Sequence, residues 1–191
     1  MFHKPEDLLK RTPVDGINRP EFLHLLVQEF QKTNSADSKR QVLANLANFA
    51  YDPVNYPHIR ANKVIDLFIE QLSSNDNKLI EFAAAGLCNL ANDPLNKDYI
   101  IGNGGLPNLE RCLYVDNDDL LISCITTLMY LYVPEIKTDI VNPSVVGRVL
   151  SHARSENPRL KNVANIFLTD FCTGNDIQTA TITRRRRHPD Q

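Results

Sequence analysis

The hydrophobic positions of this chain fall on helical stripes. Phe22, Leu25, Leu26 and Phe30 follow a three-and-four spacing, as do Val42, Leu43, Leu46, Phe49 and Ala50. The spacing returns in Leu79, Ile80, Ala83, Leu87 and Leu90, then in Leu120, Leu121, Cys124, Ile125, Leu128 and Leu131, and last in Leu160, Val163, Ala164, Phe167, Leu168 and Phe171. Residues so spaced share one face of an α-helix, so each segment is predicted to be an amphipathic helix. Pro20 suits a first turn, and Ser35 or Asp37 is placed to cap the helix that follows. Strand-period alternation does not persist beyond four residues, and no Asn-Gly turn joins two alternating runs. The predicted fold class is all-α.

The stripes are copies of one another. Residues 44–59 align without a gap on residues 85–100, a shift of 41, and eight of the sixteen positions are identical: Ala44, Leu46, Asn48, Ala50, Asp52, Pro53, Asn55 and Ile59. The pair Leu46 and Phe49 recurs as Leu87 and Leu90, Leu128 and Leu131, and Leu168 and Phe171, at shifts of 41, 41 and 40. A second apolar segment lies between these marks, at 64–72, 106–113 and 145–150, and a similar one at 22–30 precedes the first. The chain therefore holds three full units and a partial one at the front. One such unit cannot cover its own apolar face, so stacked units are needed to bury a continuous core. Alanines at 44, 47 and 50, and the small residues 83–86 and 91, allow close helix approach, and the Asp-Pro pairs at 52–53 and 93–94 stop the long helix. Gly102–Asn103–Gly104–Gly105 lacks the preceding strand and following Lys-Ser/Thr of a phosphate loop, and reads as a tight turn.

The period, the long helix ending in Leu-x-Asn-Leu/Phe-Ala and the Gly104–Gly105–Leu106–Pro107 turn resemble the armadillo repeat. That resemblance implies an armadillo-type α-solenoid over residues 20–172. The charged residues 1–19 are read as a short capping helix, and residues 173–191, polar and without apolar periodicity, as a disordered basic tail. The stretches VLANLANFAYDPVNY, EFAAAGLCNLANDPLNK, ITTLMYLYVP and IFLTDFC are further similar to a small armadillo protein of the minor spliceosome. This second resemblance implies a nuclear, non-catalytic subunit acting in the splicing of rare-class introns. It also implies pairing with an RNA-recognition-motif protein, near the capped 5′ end of the catalytic small nuclear RNA, which would be held mostly by the partner.

Partner-binding candidates follow from the long helix, which lines the concave face in armadillo proteins. Asn48 and Asn89 occupy matching positions, where an amide can both donate to and accept from the backbone of an extended peptide. Tyr51 and Tyr130 offer aromatic anchors with a polar tip. Tyr130 and Asp170 stand where the third and fourth units lose the Asn. Asp52, Asp93 and Glu81 could form an acidic rim, with helix-end turn chemistry as their plainer role. Nuclear-import armadillo proteins carry a Trp four residues before this Asn; here Ala44 and Ala85 stand there, and the chain has no Trp. That weighs against the alternative reading, an adaptor that binds basic peptides in transport or signalling.

Composition narrows the function by exclusion. The net charge is −2, and four of the 21 positive charges sit in Arg184–Arg187, so the body is acidic and unsuited to gripping phosphates broadly. The Arg184–Arg187 run is a candidate nuclear localisation signal or RNA contact. Four dispersed cysteines form no C-x-x-C pair, and five dispersed histidines complete no zinc pattern, so the thiols are expected to be reduced and mostly buried, with no metal or cofactor. The first residues lack the apolar region of a secretory signal, and no run of apolar residues is long enough for a membrane span. No H-E-x-x-H, G-x-S-x-G or G-x-G-x-x-G signature occurs, so neither catalysis nor a small-molecule substrate is expected.

Overall fold

A computed structural model describes the backbone of residues 18–187 and the side chains of residues 18–184. The expected N-terminal capping helix lies almost wholly outside the described residues. Within them there are twelve α-helices and no strand. In chain order they are α1 (Arg19–Lys32), α2 (Ala36–Phe49), α3 (Tyr56–Ala61), α4 (Val64–Gln71), α5 (Asn77–Leu90), α6 (Pro94–Gly102), α7 (Gly105–Cys112), α8 (Asp118–Leu131), α9 (Lys137–Ile140), α10 (Pro143–His152), α11 (Pro158–Phe171) and α12 (Gly174–Arg187). Two shorter helices and a long helix follow one another three times, as α3–α4–α5, α6–α7–α8 and α9–α10–α11. The pair α1–α2 is the partial unit in front.

The four long helices α2, α5, α8 and α11 have 14 residues each, about 21 Å at 1.5 Å per residue. Their starts are set by a capping residue that recurs with the repeat. Ser35 accepts from the Ser38 amide, Asp76 from Lys78 and Leu79, Asn117 from Leu120, and Asn157 from Arg159 and Leu160. Each satisfies amide groups that the helix cannot bond internally. Of the two capping candidates for α2, the structure selects Ser35. The ends are set by the Asp-Pro steps: α2 stops at Phe49 and α5 at Leu90. The turn before α7 also follows the expectation, with Gly104 in the left-handed region at φ 80°. One repeat earlier the same conformation falls on Lys63, at φ 54°.

Backbone contacts divide the chain into two compact units, one ending at Asn103 and one beginning at Gly104. In the first, α2 packs on α5, α1 on α2, and α4 on α5. Its core includes Leu23, Leu43, Leu46, Ile65, Phe68, Leu87 and Leu90. Gly86 lies against the Phe68 ring: a Cβ there would fall 2.5 and 2.8 Å from Cε2 and Cε1, and closer still to Cζ. In the second unit α8 packs on α11, α7 on α8, and α10 on both α11 and α12. Its core includes Leu109, Leu113, Leu120, Cys124, Ile125, Val146, Val149 and Phe167. Of the four cysteines, Cys112 and Cys124 are buried, and Cys88 and Cys172 are half-buried.

The expected disorder of the tail is corrected over Gly174–Arg187, which is helical and packs on α10. Thr173 and Asp176 form a reciprocal start signal. The Thr173 amide and hydroxyl both donate to Asp176 Oδ2 at 2.8 Å, and the Asp176 amide reaches back to Thr173 Oγ1 at 3.3 Å. These bonds, with the Lys137 ammonium 3.3 Å from Asp176, hold the carboxyl below its ordinary pKa. Ile177, Ala180 and Thr181, at spacings of three and four, turn inward, and Ala180 is fully buried. The segment reads as polar because one small alanine and one isoleucine suffice to seat it.

Candidate partner-binding surface

Two buried asparagines join the repeats and were missed as structural elements in the sequence. Asn55 and Asn96 are almost wholly inaccessible. Asn55 Nδ2 donates to Phe49 O at 2.7 Å, and Asn96 Nδ2 to Leu90 O at 3.3 Å, each a second donor to a helix-end carbonyl that also accepts from the Asp52 or Asp93 amide. Each amide oxygen accepts from an arginine of the preceding unit: Arg19 Nη1 at 3.2 Å for Asn55, and Arg60 Nη1 at 2.8 Å for Asn96. This explains why Asn recurs two residues after the Asp-Pro step. The aspartates share the task. Asp52 caps the 3-10 turn Pro53–Asn55 through the Val54 amide, and Asp93 caps α6 through the Asn96 amide. Asp52 is buried, and Asp93 pairs with Arg60 at 3.3 Å. Of the two roles open to these aspartates, the bonds they make are those of the plainer one, helix-end capping. Glu81 is half-buried and paired with Lys78 at 3.0 Å.

The two matched asparagines of the long helices differ in environment. Asn89 on α5 is half-buried, and its Nδ2 donates to Ala47 O of α2 at 3.1 Å. Its own backbone oxygen accepts from the Tyr56 hydroxyl at 2.9 Å. Burial raises the Tyr56 pKa, and the charges of Asp93 and Asp52 add to the rise, so this hydroxyl stays a donor. Asn48 sits at the same register on α2 and is exposed. Tyr51, just beyond α2, is 58% exposed. These three residues belong to the first unit, where Asn89 reaches the carbonyl adjacent to Asn48 in the chain. Ala44 and Ala85, at the position of the missing Trp, are half-buried.

In the second unit Tyr130 on α8 is 42% exposed, and Asp170 on α11 is exposed. Their helices pack against each other, and they repeat the register of Asn48 and Asn89. Arg184 is exposed near the end of α12; Arg185, Arg186 and Arg187 complete that helix, with side chains outside the described residues. A basic–aromatic cluster that sequence reasoning missed lies at the end of α7. The Arg148 guanidinium lies 4.4 Å from the centre of the Tyr114 ring. Its Nε and Nη2 both donate to Leu113 O at 3.2 Å, and His152 Nε2 donates to the same oxygen at 3.1 Å. Burial lowers the His152 pKa, and nearby Arg148 lowers it further, against the raising effects of Leu113 O and Asp118.

Among the described residues, no three His, Cys, Asp or Glu side chains gather as metal ligands. No single helix there is long and apolar enough to cross a membrane.

No family model matches the chain. It is 45% identical to armadillo repeat-containing protein 7 of Mus musculus over 166 residues, 86% of this chain and 84% of that protein. A set of computationally designed armadillo repeat proteins for modular peptide recognition superposes with a TM-score of 0.72 at 12% identity, covering 85% of this chain and 70% of that one. A designed armadillo repeat protein in complex with the peptide (KR)4 superposes with a TM-score of 0.69 at 15% identity, covering 78% and 64%. An engineered protein of a structural genomics consortium gives a TM-score of 0.70 at 19% identity, covering 84% and 68%. The repeat of three helices, its capped long helix and these likenesses agree on an armadillo-type α-solenoid, and at this identity and coverage the chain belongs to the armadillo repeat-containing protein 7 family.

Proposed function

We propose that this protein is a non-catalytic protein-binding scaffold whose long helices read the backbone of a partner segment. The observation that carries the reading is the contrast between Asn89 and Asn48. Asn89 spends its amide inside the molecule, on a backbone carbonyl 42 residues upstream, and the same kind of bond is proposed for Asn48 with a partner. Asn48 presents the same group to solvent, placed to take a carbonyl from an extended partner chain. Tyr51 supplies an exposed aromatic next to it, and Tyr130 and Asp170 hold the equivalent register in the second unit. Affinity would come from these few anchors rather than from total area.

We further propose that the partner is an RNA-recognition-motif protein and that the pair acts in the nucleus, as part of the minor spliceosome. The small nuclear RNA would be held mainly by the partner. Support comes from the resemblance of residues 42–56 and 81–97 to the spliceosomal armadillo protein, and from the acidic body. The basic run Arg184–Arg187 would serve nuclear import or an RNA contact.

Asn48→Ala is the test of the groove, because Asn48 is exposed and its loss should change stability by less than about 0.5 kcal/mol. The variant should recover less partner in affinity purification from nuclear extract while melting as the wild type does. Asn89→Ala is the poorer probe, since it also removes a bond between α2 and α5. Wild-type partner recovery by a folded Asn48→Ala, Tyr51→Ala, Tyr130→Ala variant would end the groove assignment. Binding of an alternating Lys/Arg peptide as tightly as the protein partner would favour the adaptor reading instead.

A further inference from the structure

A cleft in the second unit combines features the groove reading does not use. Its walls are Tyr114 after α7, Ser144, Gly147, Arg148 and Ser151 on α10, and Thr183 and Arg184 on α12. It offers about 120 Å³ of space. No lining residue carries a carboxylate, and neither Arg148 nor Arg184 has an ion-pair partner among the described residues. Two arginines lining one small space that has no carboxylate in its wall favour an anion there, although Arg148 also borders an adjoining cleft that holds Asp116 and Asp118. With Nε and Nη2 of Arg148 committed to Leu113 O, Nη1 is the end left for an external acceptor. Tyr114 Oη and Ser144 Oγ lie 2.8 Å apart. One proton suffices for that bond, so one hydroxyl hydrogen remains for a ligand oxygen. The Ser151 and Thr183 hydroxyls already donate to helix carbonyls. Gly147 keeps the space open, since a Cβ there would meet nothing within 4 Å.

We propose that this cleft binds the phosphate of a phosphorylated serine or threonine on a partner protein. A phosphomonoester carries close to two negative charges and three acceptor oxygens, matching two guanidiniums and a hydroxyl. The space admits one tetrahedral oxyanion with its ester carbon. A nucleic acid strand fits less well, because single-strand binding relies on bases stacking on open aromatic faces, and here the Arg148 guanidinium lies on the Tyr114 ring. The site is independent of the Asn48 groove, so either can fail alone.

The test uses the full chain, labelled with ¹⁵N, and three probes: a short Gly/Ser peptide with one phosphoserine, its unphosphorylated twin, and a short oligouridine. The phosphopeptide should shift the amides of Gly147, Ser144 and Thr183 and bind at least about tenfold more tightly than its twin, the difference one charge-assisted hydrogen bond makes. Gly147→Leu fills the cleft without changing charge and suits a helix better than glycine; Arg184→Gln removes one exposed cation. Each should weaken the phosphopeptide about tenfold. Equal binding of phosphorylated and plain peptides would overturn the proposal. So would phosphopeptide binding unchanged in both variants, or oligouridine moving these amides while the phosphopeptide does not.

Discussion

Alanine at position 86 tests the packing of the first unit most directly. Glycine inside a helix normally costs about 1 kcal/mol relative to alanine, so Gly86→Ala should stabilise α5 if nothing stood nearby. The Phe68 ring stands nearby. The new Cβ would lie 2.5 and 2.8 Å from two ring carbons and closer to a third, well inside van der Waals contact. Phe68 is fully buried, so the ring has no solvent to swing into and α4 must move relative to α5. Overpacking of this kind typically costs about 1–3 kcal/mol. Set against the propensity gain, the expected net is a loss of about 1 kcal/mol, or about 2–4 °C in Tm for a chain of this size. Gly147→Ala is the internal control. It lies inside α10 with open space around its missing Cβ, and should raise Tm by a similar amount through propensity alone. Thermal unfolding by circular dichroism reads both. Gly86→Ala in a Phe68→Leu background should show most of its penalty gone, a coupling of at least about 1 kcal/mol. If Gly86→Ala instead melts at or above wild type with Phe68 in place, the close approach of α4 and α5 is not real.

Two further outcomes follow from the repeat joints and the α7–α10 contact. Asn96→Ala should destabilise by about 1–2 kcal/mol, because it removes two buried side-chain hydrogen bonds, one of them to a guanidinium, while Leu90 O keeps the Asp93 amide and Arg60 keeps the Asp93 carboxylate; denaturant unfolding gives the figure, and a loss below about 0.5 kcal/mol would mean that water replaces the amide. His152 has a lowered folded pKa, so protonation favours the unfolded chain. Its contribution is present above the unfolded value of about 6.5 and disappears as pH falls through the lower folded value. Wild type should therefore lose Tm between about pH 7 and 5 more steeply than His152→Gln, whose amide can still donate to Leu113 O; parallel profiles would contradict the burial of the ring.

Much of the fold is written in one dimension because a repeat repeats its contacts. Leu46, Leu87, Leu128 and the residues around them announce the long helix by period, and the Asp-Pro steps announce where two of the four stop. The caps at Ser35, Asp76, Asn117 and Asn157 follow the same period. Each is a local device, in which a side chain bonds an amide two or three residues on, so sequence carries it. The register of Asn48 and Asn89 was legible for the same reason. Their difference was not. Asn89 meets α2 of the preceding unit, while Asn48 belongs to the first long helix and has no earlier one to meet among the described residues. Only the packing of α2 on α5 decides that. Asn55 and Asn96 show the same division: identity at the 41-residue shift marked them as repeated, but their burial beneath a helix end and an arginine 36 residues upstream is a tertiary fact. The tail was misread because hydropathy averages over a segment, whereas α12 is seated by Ala180, Ile177 and the Thr173–Asp176 bonds on a surface that α10 provides. The α7–α10–α12 cleft was invisible for a related reason. Tyr114, Arg148 and Arg184 are far apart in the chain and follow no period, and they meet only because folding brings three helices to one place.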